Sequence, residues 1–217
     1  MKKFELTAES KINWFGRTLY RIKACIDFTT TSGDEVKAGD LGGYVEKESN
    51  LSHDGKAWVY GNAEVCGNAE VYGNAEVWGN AEVWGNAKVW GNAKVCGNAS
   101  IFSTKHIFCV TPIGQYANSL TVFRTKNREL KISFELKTYE IEEFRKAIHD
   151  SWDEEYMCIA EGAISLAKQH IDLTPEKSFK DCPFCGGKAE LDEDSDVVCT
   201  ECGSTAKEEF WNSRVDD

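Results

Sequence analysis

The chain has 217 residues, which is enough for one to three small domains. Its net charge is −11, and residues 181–217 account for −8 of this, with eleven acidic residues against three basic ones. That sign opposes phosphate backbones, so direct nucleic-acid binding is disfavoured, and a basic protein partner or a DNA-mimicking role stays open. No apolar run is long enough to cross a bilayer and no apolar signal core follows the N-terminus, so we expect a cytoplasmic protein without a membrane partner.

Residues 1–38 are predicted to form an N-terminal β cap. Two sets of side chains alternate between Leu19 and Phe28, which is the period-two pattern of a half-buried strand. One face of that strand is expected to hold Tyr20, Ile22, Ala24, Ile26 and Phe28. The glycine-rich residues 39–43 then lead into the next segment.

The central segment repeats one six-residue phrase, here called a hexad. Between Val59 and Ile101 the chain reads VYGNAE VCGNAE VYGNAE VWGNAE VWGNAK VWGNAK VCGNAS. A fixed period of six indicates a β-helix, in which each hexad forms one side of a three-sided coil. The valine and the alanine of each hexad are expected to point inward, and Gly-Asn is expected to form the corner.

Three hexads complete one turn, so residues 18 apart should stack on neighbouring rungs. This predicts opposite-charge rungs for Glu70 with Lys88 and for Glu76 with Lys94, and a like-charge rung for Glu64 with Glu82. A two-residue insertion near His53-Asp54-Gly55 is expected to shift the register before Val59. Two to four turns bury little surface, so the ends of the coil are expected to need caps.

The residue after each valine is predicted to face outward, and most of these residues are aromatic. The predicted interface or ligand platform consists of Tyr60, Tyr72, Trp78, Trp84, Trp90 and Phe102. Contiguous outward rings favour a homo-oligomer seam, for which a trimer is preferred, or a platform that stacks nucleobases. The third alternative is packing against residues 105–172 of the same chain.

Residues 105–172 are predicted to form a small α+β module. The expected strands are His106–Thr111, Leu120–Thr125 and Glu129–Leu136. The expected helices are Tyr139–His149, with Thr138 as its N-cap, and Asp153–His170. The buried stripe of the second helix is predicted to contain Tyr156, Ile159, Ala160, Ala163 and Leu166. Residues 173–180 follow as a linker.

The C-terminal segment contains two CxxC pairs with thirteen residues between them. The four cysteines are Cys182, Cys185, Cys199 and Cys202. Two such pairs meeting across a hairpin satisfy tetrahedral Zn²⁺ with four thiolates, and the closed site indicates a structural rather than a catalytic ion. Since 37 acidic residues have little room for a core, the metal is expected to hold this segment folded.

Two parts of the chain resemble known families. The C-terminal segment resembles the Lar restriction-alleviation family of prophage proteins. The resemblance is carried by CPFCGG, by the strand Val197-Val198-Cys199 that leads into the second CxxC-Gly, and by the ending Trp211-Asn212-x-Arg214. That resemblance covers about the last 37 residues and implies protection of phage DNA from host restriction endonucleases. Leu19–Ala24, residues 39–52 and the hexads resemble hexapeptide-repeat proteins of phage and prophage genomes. This second resemblance implies a left-handed coil.

The sequence thus predicts a mainly β chain with five segments. They are an N-terminal β cap (1–38), a left-handed hexapeptide β-helix (39–104), a small α+β module (105–172), a linker (173–180) and a Lar-like zinc ribbon (181–217).

Three functions from different classes remain open. The first is a non-catalytic phage or prophage accessory protein that opposes host defence through protein contacts. The second is an oligomeric binder that sequesters a nucleotide immune signal. The third is an acyl- or nucleotidyl-transferase with His53 or His106 as a base, or Cys66 or Cys96 as a nucleophile. Both histidines are expected to be surface or turn residues and both cysteines outward packing residues, so the sequence favours a protein that is not an enzyme.

Overall fold

The computed structural model describes residues 2–114, 116–149, 151–174, 189–191, 197–199 and 205–206. Contacts divide the chain into two units, residues 1–173 and residues 174–217, which are described separately below.

The first unit contains seventeen strands and two α-helices among its described residues. The strands before the hexads are β1 (Phe4–Ile12), β2 (Thr18–Ala24), β3 (Phe28–Thr29), β4 (Glu35–Val36) and β5 (Leu41–Val45). The hexad strands are β6 (Trp58–Val59), β7 (Glu64–Val65), β8 (Glu70–Val71), β9 (Glu76–Val77), β10 (Glu82–Val83), β11 (Lys88–Val89), β12 (Lys94–Val95) and β13 (Ser100–Ile101). The remaining elements are β14 (Ile107–Ile113), β15 (Asn118–Arg124), β16 (Leu130–Phe134), β17 (Lys137–Tyr139), α1 (Ile141–His149) and α2 (Glu154–His170).

The prediction of a mainly β chain with a coiled centre is confirmed. Strands β5 to β13, residues 41–101, form a β-solenoid of about three turns, here called the column. Parallel pairing joins residues 18 apart, so that Val83 lies between Val65 and Ile101 on one side. The valines and alanines of all seven hexads are buried, as predicted. The left-handed sense of the coil stays a prediction.

The first turn of the column is two residues longer than the others. Val45 pairs with Val65 and Leu51 with Val71, which are 20 residues apart, whereas Trp58 pairs with Glu76 at a spacing of 18. The predicted two-residue insertion near residues 53–55 is therefore confirmed by the register.

Each Gly-Asn corner of the seven hexads contains a glycine with positive φ. Gly79 has φ +75°, and a Cβ added there would lie 2.9 Å from the backbone nitrogen of Gly97 on the next turn. Both the left-handed backbone and the tight stacking therefore require glycine at this position. The neighbouring asparagines also stack, since the Asn74 amide donates to the Asn92 amide oxygen at 3.0 Å.

The strands before the hexads continue one side of the column. β1 and β2 pair antiparallel, β2 pairs with β5, and β5 joins β7, β10 and β13 in one six-stranded sheet. The expected single face from Tyr20 to Phe28 is wrong. β2 ends at Ala24 and its pairing with β5 shifts between Arg21 and Lys23, so Leu19 and Ile22 are buried whereas Tyr20 is exposed.

Residues 107–170, here called the sheet–helix region, contain a four-stranded antiparallel sheet in the order β14-β15-β16-β17. The expected strand Glu129–Leu136 is shorter than predicted because Glu135 and Leu136 adopt positive φ and form the turn into β17. The first helix starts at Ile141 rather than Tyr139, since Tyr139 ends β17.

The buried stripe predicted for the second helix is partly wrong. Ala160 and Ala163 are buried, but Ile159 and Leu166 are 44% and 56% exposed. Ile164 and Ala167 occupy the buried positions instead, because the apolar residues span about half of the helix circumference and only part of that span packs in the core.

The core of the column extends beyond the hexads at both ends. Phe4 and Ile22 belong to the same buried cluster as the hexad valines, and so do Ile107 and Phe123. A second cluster, centred on Phe144, lies between the four-stranded sheet and the two helices.

The second unit contains three short antiparallel strands among its described residues. They are β18 (Ala189–Leu191), β19 (Val197–Cys199) and β20 (Thr205–Ala206), with β19 in the middle. No helix in the described parts of the chain is long and apolar enough to span a membrane.

Candidate functional site

Of the four predicted zinc ligands, only Cys199 lies within the described residues. It ends β19, its side chain is buried, and it pairs with Ala189 on β18. Cys182, Cys185 and Cys202 lie outside the described residues. Within the described residues no group of three or more candidate metal ligands is found.

The outward residues of the column divide into three faces. The first face contains Tyr60, Trp78 and Cys96, the second contains Cys66, Trp84 and Phe102, and the third contains Tyr72 and Trp90. The grouping follows from the 18-residue register and agrees with the predicted stacking.

The first face is covered by other parts of the same chain. The turn between β3 and β4 contacts it through Ser32, whose backbone N–H and hydroxyl both donate to the Glu76 carboxylate, at 3.0 and 2.6 Å. Tyr60 donates to the same carboxylate at 3.4 Å, and burial raises the pKa of its phenol. At the far end, the Cys96 thiol lies 2.8 Å from the Thr138 hydroxyl.

The second face is covered by the connection between β1 and β2. Trp84 stacks on Phe102 at a centroid distance of 4.5 Å and contacts Phe15 at 4.6 Å, while Trp14 meets it edge-on at 6.4 Å. The Trp84 indole N–H is buried and has no hydrogen-bond partner in the part of the chain that the structure describes. Trp14 itself is 58% exposed. The sequence reading missed Trp14 and Phe15, because no periodicity links the β1–β2 connection to the hexads.

The third face is the most open one. Trp90 is 61% exposed, Tyr72 is half-buried, and both stand on the two-stranded parallel sheet of β8 and β11. Beside them Glu70 and Lys88 form the predicted opposite-charge rung, with 3.8 Å between the ammonium and the carboxylate. An exposed indole on rigid, paired backbone is a preorganised contact for another molecule.

The other charged rungs differ from the simple cross-strand pairs that were expected. Glu64 and Glu82 pair in register, but each binds its own lysine, Lys11 at 2.7 Å and Lys126 at 2.6 Å. The like-charge rung is therefore neutralised from outside the hexads. Glu76 and Lys94 are in register, yet the Glu76 carboxylate is buried against Ser32 and forms no ion pair with Lys94 among the described residues.

His53 and His106 both occupy structural positions. The Nδ1 atom of His53 accepts from the backbone N–H of Lys3 at 3.2 Å, and its ring stacks on Phe4 at 4.3 Å. His106 is buried, and its Nδ1 atom accepts from the backbone N–H of Phe102 at 3.3 Å. Burial, helped by the nearby charge of Arg124, lowers the pKa of His106 to about 4. A ring nitrogen that is this weakly basic and already bonded is poorly suited to act as a general base.

Cys66 and Cys96 lie in covered positions of the first two faces. The Asn13 amide donates to the Cys66 sulfur at 3.6 Å, and burial raises the pKa of the Cys96 thiol. A buried thiol with a raised pKa is a poor nucleophile. The hydrogen bond to Cys66 and the burial of Cys96 favour the packing role expected for these two residues.

A shallow groove of about 380 Å³ lies beside the first face, where the sequence reading placed no site. Its lining residues are Thr31, Ser32, Lys94, Tyr116, Asn118, Glu135 and Leu136. The Lys94 ammonium forms no ion pair with any described residue, and Tyr116 is 75% exposed. The groove thus combines a cation, a ring and several hydrogen-bonding groups drawn from four separate parts of the sequence.

No family model matches this chain, and no curated protein matches it significantly.

Proposed function

We propose that the chain is a non-catalytic accessory protein that opposes host defence through protein contacts, in the manner of restriction alleviation. The main support is the third face, where Trp90 is exposed beside the half-buried Tyr72 on rigid backbone, while other parts of the chain contact the first two faces. The contacts of His53 and His106 also favour this function over a transferase. The link to restriction and to phage rests on the resemblance of residues 181–217 to the Lar family.

In this proposal the column is a rigid support with a cap at each end. Residues 1–38 would close its first turn and the α+β module its last turn, which is supported by the contribution of Phe4, Ile22, Ile107 and Phe123 to the column core. A cap removes the exposed edge that a short solenoid would otherwise present.

The C-terminal segment would be a zinc ribbon with Cys182, Cys185, Cys199 and Cys202 as ligands. The zinc would supply folding free energy to a segment that has few apolar residues. The buried Cys199 and its pairing with Ala189 support this arrangement. A strong chelator should then remove one equivalent of zinc and abolish amide protection in residues 181–217 only, as measured by hydrogen exchange. Unchanged protection of the tail after metal removal would contradict the zinc proposal.

The experiment for the main proposal is phage plating on a restricting host that expresses this protein in its cytoplasm. We expect the intact chain to raise the plating efficiency of unmodified phage, and Trp90→Ala to abolish the increase while the protein stays folded. Trp14→Ala is the matched control, because Trp14 is equally exposed but lies outside the third face. Equal activity of the intact chain and Trp90→Ala would contradict a role for this face, and an intact chain without effect would contradict the function.

A second candidate, sequestration of a nucleotide signal, is favoured by one observation. In the groove, Lys94 could pair with a phosphate while Tyr116 stacks on a base. Calorimetric titration with cyclic dinucleotides should then give binding that Lys94→Ala and Tyr116→Ala each weaken.

A homotrimer is the remaining assembly proposal, and its seam would lie at Tyr72 and Trp90. Native mass spectrometry of the intact chain and of Trp90→Ala tests it directly.

A further inference from the structure

Helix α2 leaves one whole face open to solvent. The buried face, formed by Ala160, Ala163, Ile164 and Ala167, packs in the cluster around Phe144. The opposite face consists of Glu155, Cys158, Ile159, Gly162, Ser165, Leu166 and Gln169, all of which are exposed. At 100° per residue these seven positions form one continuous stripe along the helix.

Glycine at the centre of this stripe is not explained by the fold of the chain. Gly162 is the midpoint of α2, which runs from Glu154 to His170. Glycine is the least favourable residue after proline in a helix interior. A Cβ added at Gly162 would meet no atom within 4 Å, so no contact inside this chain requires its absence. A missing side chain does, however, permit another backbone to approach closely.

The groups around Gly162 are arranged so that the stripe complements a second copy of itself. Ile159 and Leu166, large apolar side chains that are about half exposed, lie on either side of the glycine. Glu155 stands at the N-terminal end of the stripe, with Glu154 and, near the C-terminal end, Lys168 on its flank. None of the three forms an ion pair with a described residue, although the charge of Lys168 helps to lower the pKa of Glu161. When two such helices run antiparallel, each acidic end meets the other copy's basic end.

We propose that this face is a two-fold interface, in which α2 of one copy packs antiparallel on α2 of a second copy with the axis at Gly162. The symmetry places Glu155 opposite Gln169 and Glu154 beside Lys168 of the other copy. Ile159 and Leu166 fill the space on either side of the close glycine contact, which is how apolar ridges pack between helices. The opposed helix dipoles add to the attraction. This interface goes beyond the proposed function and uses a surface separate from the third face.

A single pair of helices buries less than the roughly 1,200 Å² of a stable standard interface, so the dimer should be reversible. Sedimentation velocity of the full chain over a hundredfold concentration range should therefore show a monomer–dimer equilibrium. We expect Leu166→Glu and Gly162→Leu each to raise the dissociation constant by roughly tenfold or more, since a buried charge or a bulky side chain separates the helices. Tyr116→Glu is the matched control and should leave the equilibrium unchanged, because Tyr116 is exposed but lies on the β14–β15 connection.

Cross-linking tests the position of the axis. In a Cys158→Ser background, Gly162→Cys should form a covalent dimer on mild oxidation, because only residues at a two-fold axis bring their own copies within disulfide distance. Tyr116→Cys in the same background should not. A chain that stays monomeric at every concentration would overturn the proposal, and so would a dimer that both α2 variants leave intact. A trimer that dissociates only with Trp90→Ala would equally overturn it.

Discussion

The column and the sheet–helix region are built by opposite means, although they share one chain and adjoin each other. In the column, each residue's environment follows from its place in a six-residue period, because every turn repeats the one before it 18 residues later. In the sheet–helix region, burial depends on which side of each element faces the sheet. In the column, position within the hexad therefore determines whether a residue is buried. In the sheet–helix region, burial depends on contacts between segments that are distant in sequence.

The difference shows in how each region is stabilised. Val65, Val83 and Ile101 form a continuous stack in which each contact has equivalents on neighbouring turns. In the sheet–helix region, by contrast, the single ring of Phe144 contacts three other rings, those of Phe134, Tyr139 and Trp152. Loss of one side chain should therefore be tolerated differently by the two cores.

The largest effect is expected from Phe144→Ala. Removing this fully buried ring should lower the free energy of unfolding by about 4 kcal/mol, because a cavity is left between the sheet and both helices. Hydrogen exchange should show lost protection in residues 130–171 while the hexad amides stay protected. Leu136→Ala, at an exposed turn position, is the control and should change little. Equal loss of protection across the hexads would show that the two cores unfold as one.

A smaller effect is expected at the junction, from protonation of His106. Its pKa is about 4 in the folded chain against an ordinary value of 6.5, so the unfolded chain binds more protons between these values. Stability should therefore fall as the pH drops from 6.5 towards 4, by about 3 kcal/mol for this group. Denaturant unfolding at several pH values should show this loss in the intact chain and a weaker loss in His106→Gln. Parallel pH profiles for the two proteins would contradict the assignment.

The smallest of the three effects compares two corners of the column. Gly79→Ala and Gly97→Ala both force alanine into a left-handed backbone, which costs about 1 kcal/mol. Only Gly79 has the next turn stacked against it, with the Gly97 nitrogen 2.9 Å from the added Cβ, so Gly79→Ala should cost about 2 kcal/mol in total. Thermal unfolding of both variants checks the ranking, and equal losses would mean that the turns do not stack as closely as described.

How far the sequence predicts the structure follows from the same contrast. Inward Val77 and Ala81, and the register of Glu70 with Lys88, needed only the period. The cover over Trp84 could not be predicted, because Trp14 and Phe15 lie some 70 residues earlier and no pattern connects them. The sequence therefore predicted which residues of the candidate platform point outward, but it did not predict which faces of the column other segments cover.

The prediction of which residues of α2 are buried was partly wrong for a related reason. Ile159 and Leu166 are as apolar as the residues that are buried, and periodicity alone does not show which part of a broad apolar stripe packs in the core. The hydrogen bond from Ser32 to Glu76 could not be predicted either, because Ser32 belongs to a turn that has no sequence repeat. Sequence patterns predict spacing well, whereas contacts between segments with different patterns need the structure.

Within the described residues Trp90 is the most exposed ring of the column, and 19F NMR tests this contrast between the faces most directly. The protein would be labelled with 5-fluorotryptophan, each resonance assigned by single Trp→Phe variants, and a soluble paramagnetic agent added. We predict strong broadening for the exposed Trp90 and weaker broadening for Trp78 and Trp84, whose rings are partly buried. Equal broadening of Trp78, Trp84 and Trp90 would contradict the claim.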